Sequence, residues 1–209
     1  MRVLSILLAL LFLPVLAIAQ MPDDRVGEAA PDSFVVAFEA STGPFEVAVK
    51  RDWSPAAADR FYHLVRTGYF NGASVFRVVK GYVAQFGIPE EEAVYDAWRE
   101  MRVPDEPSVV SNLRGRVSFA RGGPETRTTQ IFINLLDNAP LDTLMANGVP
   151  GYPPFGEVTM GMAAIDSLNG DYGNAPARRQ REIAMGGRAF LDGAFPGLDH
   201  IISAKLKED

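Results

Sequence analysis

From residue 34 onward, apolar and polar residues alternate along the chain with the period of two that is typical of β-strands. An apolar run at 34–38 is followed by a turn sequence at 41–44 and by a strictly alternating segment at 45–50. This order predicts a β-hairpin with one face turned inward. By the same criterion, further strands are predicted at 74–80, 82–86, 117–120, 130–134, 157–159 and 198–206.

Two segments carry the spacing of an amphipathic helix instead. The stronger one has Ser54 as a candidate N-cap and Pro55 at the first helical position, and it ends at Gly68. The weaker one covers 160–168, and a short helical piece is predicted within the long polar excursion at 88–112. Many short strands with few helices and no βαβ alternation predict a mostly β fold of the antiparallel barrel or sandwich type.

The first nineteen residues have the pattern of a cleavable signal peptide. Arg2 precedes an apolar run at 3–16, and the small-x-small sequence Ala17-Ile18-Ala19 follows it. We therefore expect cleavage after Ala19, which leaves a flexible, exposed leader at 20–32 and a folded domain at 33–209. The protein would then be periplasmic or secreted, without stable membrane insertion. An uncleaved membrane anchor is the alternative.

Composition narrows the chemistry. The 209 residues include no cysteine and two histidines, which excludes thiol nucleophiles and disulfide scaffolds and argues against a His-rich metal centre. A net charge of −6 argues against nucleic acid as a partner, and the basic residues at 178–181 are predicted to be a solvated helix face. No phosphate-binding, dinucleotide-binding or zinc-protease motif is present, so we expect neither a metal nor a cofactor.

Arg77 is unusual within its predicted strand. Alternation places it on one face with Val75 and Val79, among β-branched neighbours. An arginine in this setting must reach solvent or find acceptors, because an unpaired buried charge is costly. The pattern alone leaves two interpretations open: an edge arginine that extends its head group into water, and a guanidinium presented at the rim of an apolar groove.

Three sequence blocks carry a resemblance to a known family. The segment 76–87 reads FRVVKGYVAQFG, the segment 117–133 contains VSFA and GPETRTTQIFI, and 155–158 reads FGEV. In this order the blocks resemble the signatures of cyclophilin-type peptidyl-prolyl cis-trans isomerases, and the RTTQ and YDAWR sequences resemble a bacterial subgroup. The resemblance implies a closed eight-stranded antiparallel β-barrel capped by two α-helices.

The resemblance also implies a site. Arg77 matches the catalytic arginine of the family, and Phe132 and Gln85 complete the catalytic group. Tyr82 and Val83 replace a phenylalanine and a methionine of the family, and Pro140 stands at its tryptophan position. Arg121 stands where asparagine is common, and Tyr152 where many members have histidine. The residues expected to bind substrate are Tyr82, Val83, Ala120, Arg121, Gln130, Leu141 and Tyr152.

The activity implied is isomerisation of X-Pro bonds in proline-containing polypeptides, during the folding of exported proteins. The reaction needs no nucleophile, metal or cofactor, and we expect a monomer. Two other interpretations stay open. One is a prolyl-peptide binder or holdase on the same fold. The other is a structural barrel in an envelope assembly, which requires that the excursion at 88–112 cover the groove.

Overall fold

The computed structural model of the protein describes residues 20–208. The predicted signal peptide at 1–19 lies outside the described residues. None of the helices in the described range is both long and apolar enough to span a membrane.

Eight strands form one curled antiparallel sheet in the order β10-β1-β2-β9-β5-β6-β4-β3. Strands β7 and β8 form a separate small hairpin. The hairpin predicted at the start of the domain is confirmed as β1 and β2, which pair along their whole length. The strands are β1 (Ser33–Ala40), β2 (Gly43–Lys50), β3 (Arg77–Val79), β4 (Val83–Phe86), β5 (Arg116–Phe119), β6 (Ile131–Asn134), β7 (Met145–Ala146), β8 (Val149–Pro150), β9 (Pro154–Met160) and β10 (Ile201–Leu206).

The described residues contain four α-helices, so the prediction of two is wrong. Of the fourth, the sequence predicts only the helix face at 178–181. The rest was missed because glycines at 186, 187 and 193 lower its helix propensity, and its helical geometry is interrupted at Gly187. Tertiary packing overrides this, since its Ile183 and Leu191 are buried against Phe76. The helices are α1 (Pro55–Arg66), α2 (Glu92–Arg99), α3 (Met162–Asp166) and α4 (Gln180–Ala194).

The prediction of a closed barrel is also wrong, because the sheet is an open half-barrel with β3 and β10 as its edges. The segments that precede β3 and β10 meet in an isolated bridge between Ser74 and His200, and the backbone N–H of Gly72 donates to the carbonyl of Ile201 at 2.8 Å. The strand expected at 74–80 forms a ladder only from Arg77 to Val79. The chain leaves the ladder before that point because Phe76 packs into the separate apolar cluster beneath α4.

Helix α1 begins at Pro55 as predicted, but the side chain of Ser54 does not cap it. A carboxylate from the long excursion does so instead. Glu106 accepts a hydrogen bond from the backbone N–H of Ala56 at 2.7 Å and another from the Ser54 hydroxyl. A negative charge at this end of a helix also interacts favourably with the helix dipole.

The main core lies between the sheet and α1 and is rich in aromatic residues. The ring of Phe61 on α1 lies 4.9 Å from that of Phe155 and 6.3 Å from that of Phe38. On the strands that carry the site, alternate residues serve different clusters. Ile131 and Ile133 of β6 enter the main core, whereas Phe132 between them belongs to another apolar cluster.

The segment at 20–32 forms no regular helix or strand, yet the prediction of an exposed leader is wrong at its first residue. The side-chain Nε2 of Gln20 donates to the carbonyl oxygens of Gly68 at 3.1 Å and Asn71 at 3.0 Å. Its own carbonyl accepts a hydrogen bond of 2.8 Å from the indole of Trp98 in α2. Gln20 thus joins the turn after α1 to the excursion.

A buried ion pair holds the excursion at its other end. Arg127 is fully buried, and its Nη2 lies 3.0 Å from the carboxylate of Glu106. Burial lowers the pKa of Arg127, and the nearby Glu106 carboxylate opposes that shift. Glu106 therefore both caps α1 and neutralises a buried cation.

We expect Glu106→Ala to lower the free energy of unfolding by up to about 3–5 kcal/mol, because it removes the nearer of the two carboxylates that pair with a buried guanidinium and leaves only Asp105 at 4.0 Å. Glu100→Ala is the matched control. Glu100 is exposed and pairs with Arg99 and Arg102, so its loss should cost less than about 1 kcal/mol. Denaturant unfolding of both variants measures the difference, and equal losses would contradict the assignment.

Candidate active site

An apolar pocket lies on the face of the sheet opposite the main core. Val83, Phe132 and Leu141 are buried together there, and Tyr82, Ala120 and Tyr152 pack against them. Strand alternation explains the separation, since Ala84 and Phe86 of β4 enter the main core while Val83 turns the other way. The pocket is therefore built by the same strands as the core without being part of it.

Strand register brings the three predicted catalytic residues into one row. Arg77 on β3 is the direct partner of Gln85 on β4, and Gln85 is the direct partner of Phe132 on β6. Directly opposed residues in antiparallel strands have their Cβ atoms about 4.5–5.5 Å apart. The row therefore leads from a guanidinium at the sheet edge, across an amide, to an aromatic ring.

Two side-chain oxygens orient the guanidinium of Arg77. Its Nε donates to Oδ1 of Asn174 at 2.7 Å, and its Nη1 donates to Oε1 of Gln85 at 2.9 Å. Within residues 20–208, Nη2 has no hydrogen-bond partner, so it is available to a substrate. Partial burial lowers the pKa of Arg77, and the phenol of Tyr82, whose ring centre lies 5.7 Å from the guanidinium carbon, acts against that shift.

Further amides continue from Gln85. Its Nε2 donates to Oε1 of Gln130 at 2.9 Å, and Nε2 of Gln130 donates to Oε1 of Gln180 at 2.9 Å. Gln180 is the first residue of α4. The row of side chains thus runs from the arginine to the start of α4.

All ten residues predicted for the site border one cleft of about 480 Å³. The structure thus brings them together, while their individual roles remain predictions. Sequence reasoning missed Tyr95 and Arg99 of α2, Ala177, and Gln180, which border the same cleft. Tyr95 and Arg99 belong to the YDAWR sequence that resembles a bacterial subgroup, so that motif could have indicated them, whereas no signature covers Ala177 and Gln180. Gly122, Thr126 and Thr128 also line the cleft and lie within or beside the second sequence block, which could have indicated them.

Arg121 borders the cleft, but its guanidinium turns into the protein. The side chain is fully buried and donates to Asp105 at 2.9 Å and to the carbonyl of Pro150 at 2.6 Å. Its guanidinium carbon lies 5.3 Å from the ring centre of Tyr152. The side chain of Arg121 therefore fixes the pocket wall, and the contact with substrate that the sequence predicts for the Arg121 backbone stays a prediction.

The opposite wall is held by a carboxylate. Asp142 accepts hydrogen bonds from the hydroxyl of Ser111 at 2.5 Å and from the backbone N–H of Asn112 at 2.7 Å. Partial burial raises the pKa of Asp142, but these hydrogen bonds prevail and lower it. They fix the neighbouring Leu141 in the pocket. Pro140, at the family's tryptophan position, is exposed beside it.

The arrangement suits binding and polarisation. An apolar pocket with an aromatic wall can hold a compact apolar ring, and a charged donor at its edge can stabilise charge that develops nearby. Among residues 20–208, no group of three or more histidine and acidic side chains is placed to hold a metal ion. The donor at the edge of this pocket is a protein side chain, Arg77.

Comparison with known proteins agrees with the fold and shows the family. The family model described as cyclophilin type peptidyl-prolyl cis-trans isomerase/CLD matches residues 35–185. The chain is 31% identical over 158 residues to peptidyl-prolyl cis-trans isomerase A of Dickeya dadantii, covering 72% of this chain and 82% of that protein. It is 30% identical over 141 residues to isomerase B of Escherichia coli, covering 65% and 84%.

Solved structures show the same fold. The crystal structure of a cyclophilin type peptidyl-prolyl cis-trans isomerase of Cryptosporidium parvum has a TM-score of 0.62 at 18% identity, covering 85% of this chain and 99% of that one. The family model spans most of the domain. The chain therefore belongs to the cyclophilin-type peptidyl-prolyl cis-trans isomerases.

Proposed function

We propose that this enzyme isomerises X-Pro bonds by donating a hydrogen bond from Arg77 to the twisted amide, and that it serves the folding of exported proteins in a bacterial envelope. The row formed by Arg77, Gln85 and Phe132 carries the mechanistic part. It puts a charged donor with an unengaged amino group beside a pocket that fits a proline ring. We also propose that the enzyme acts as a monomer.

The energetics fit this mechanism. Rotation about a peptide bond breaks amide resonance and has a barrier of about 20 kcal/mol. Uncatalysed X-Pro exchange takes roughly 10–100 s, so reaching milliseconds requires lowering the barrier by roughly 5–7 kcal/mol. In the twisted state the proline nitrogen regains a lone pair. A fixed guanidinium that donates to this nitrogen stabilises the twisted state more than either planar isomer, which is the condition for catalysis.

The pocket residues would hold the ring during this rotation. The rings of Phe132 and Tyr152 meet edge to face with centres 5.8 Å apart, and Leu141 closes the apolar cluster. The amides of Gln85 and Gln130 supply polar contacts for the peptide. A related Cryptosporidium parvum enzyme was crystallised in the presence of the dipeptide Ala-Pro, which supports prolyl peptides as the substrate class.

We expect Arg77→Ala to abolish most of the isomerase activity on a short prolyl peptide while the protein remains folded. Arg77→Lys should retain only part of the activity, because an ammonium lacks the rigid fork that reaches Gln85, Asn174 and the substrate together. Arg102→Ala, which removes an exposed arginine elsewhere, is the control.

A protease-coupled or NMR exchange assay gives the rates, and circular dichroism checks the fold. An Arg77→Ala variant with wild-type turnover would refute the mechanism. A wild-type protein that suppresses aggregation of unfolded proteins without turnover would favour a holdase instead.

The export proposal has its own test. We expect the native protein to begin at Gln20, because the small-x-small sequence before it fits a signal peptidase. Sequencing the amino terminus of protein isolated from the envelope fraction of its source cells reads this directly. Retention of Met1 on a membrane-bound chain would refute cleavage and support the anchor.

A further inference from the structure

We propose that Gln180, at the start of α4, is a positioning residue that fixes the direction in which the side-chain amides behind Arg77 point. This inference rests on the catalytic role proposed for Arg77. It concerns a residue in a helix outside the three signature blocks, and it assigns that helix a part in the reaction.

The direction of every amide in the row follows from the arginine. A guanidinium has donors and no acceptor, so Gln85 must turn its Oε1 toward Arg77. The Nε2 of Gln85 then points at Gln130, which must accept through its own Oε1. Nε2 of Gln130 is left pointing at Gln180, which accepts through Oε1. This order is imposed by hydrogen-bonding chemistry, because each amide has one donor end and one acceptor end.

The last acceptor matters because an amide can turn over. If position 180 offered no acceptor, Gln130 would no longer gain a hydrogen bond from its present orientation, and the reversed orientation would become more populated. A reversed Gln130 brings its own N–H donors against those of Gln85. The Oε1 of Gln85 could then accept from Arg77 or, after Gln85 itself reverses, from Gln130. Arg77 would lose its fixed hydrogen-bond partner. Gln180 therefore acts on the guanidinium from a distance of two side chains.

The surroundings of Gln180 hold it in place. Ile183 and Ala184, on the next turn of α4, are buried with Phe76, which immediately precedes Arg77 in the chain. At the middle of the helix, Arg188 pairs with Glu90 at 2.5 Å. The backbone at Gly187 comes so close to the carbonyl of Glu90 that a Cβ would lie 2.3 Å from that oxygen.

The same stretch of chain supplies the other acceptor of Arg77. Asn174 lies six residues before Gln180 and accepts from Nε of the arginine. The segment 174–180 therefore orients the guanidinium in two ways, directly through Asn174 and through the amide row from Gln180. Gln180 is half-buried and uncharged, so it acts by fixing the orientation of the Gln130 amide.

Three substitutions at one position separate direction from shape. Gln180→Glu keeps a strong acceptor, Gln180→Met keeps the shape with only a weakly accepting thioether, and Gln180→Lys offers only donors. We expect kcat to stay within about twofold for the Glu variant and to fall about twofold to tenfold for the Met variant, the effect of one hydrogen bond. The kcat of the Lys variant should fall furthest. KM for a short prolyl peptide should change little.

Control variants on the same helix test whether added charge or impaired folding explains the result. Ala189→Lys and Ala189→Glu add the same charges at an exposed position that does not border the cleft. They should leave kcat unchanged, and all variants should keep the wild-type thermal midpoint within a few degrees. Equal kcat for the Glu, Met and Lys variants, or a Glu variant slower than the Met variant, would overturn the proposal.

A double-mutant cycle separates this proposal from the mechanism it rests on. In an Arg77→Ala background nothing imposes the direction of the amides, so Gln180→Met should cause no further loss of the residual rate. An equal loss in both backgrounds would show that Gln180 acts independently of the arginine, which overturns the proposal alone. An Arg77→Ala enzyme with full activity would overturn the mechanism as well.

Discussion

The site is organised around a half-buried guanidinium that can only donate hydrogen bonds. Arg77 lies at the edge of an open sheet, where part of its hydration is lost, and a charge in such a place needs acceptors. The acceptors come from the neighbouring strand at Gln85 and from the loop before α4 at Asn174. These acceptors engage Nε and Nη1, and among residues 20–208 the remaining amino group, Nη2, has no hydrogen-bond partner.

The pocket beside this guanidinium uses the outer face of strands whose inner face forms the core. Ile131 and Ile133 pack inward while Phe132 points outward between them. The core can therefore fix the strands rigidly while the outward residues stay free to bind a substrate. The walls need separate anchors, and two charged side chains supply them. Arg121 ties the β7–β8 hairpin to Asp105, and Asp142 ties the Leu141 loop to the end of the excursion.

The excursion at 88–112 connects distant parts of the fold. Its helix α2 places Tyr95 and Arg99 on the wall of the cleft, so the excursion lines the groove. Glu106 caps α1 and pairs with the buried Arg127, and Trp98 is held by the carbonyl of Gln20. These contacts give a long polar segment a fixed course without a core of its own.

The sequence by itself determined the strand-rich class, the first hairpin, helix α1 and ten of the residues around the cleft. Those features depend on local periodicity or on short blocks such as 76–87, which neighbouring residues encode. It did not determine the open edge of the sheet, helix α4, the buried course of Arg121 or the contacts of Asn174 and Gln180 with the site. Each of these depends on residues far apart in the chain: Phe76 packs beneath α4, Arg121 meets carbonyls near residue 150, and Gln180 meets Gln130. Only the folded chain brings such groups within bonding distance, because strand register and helix packing set their separation.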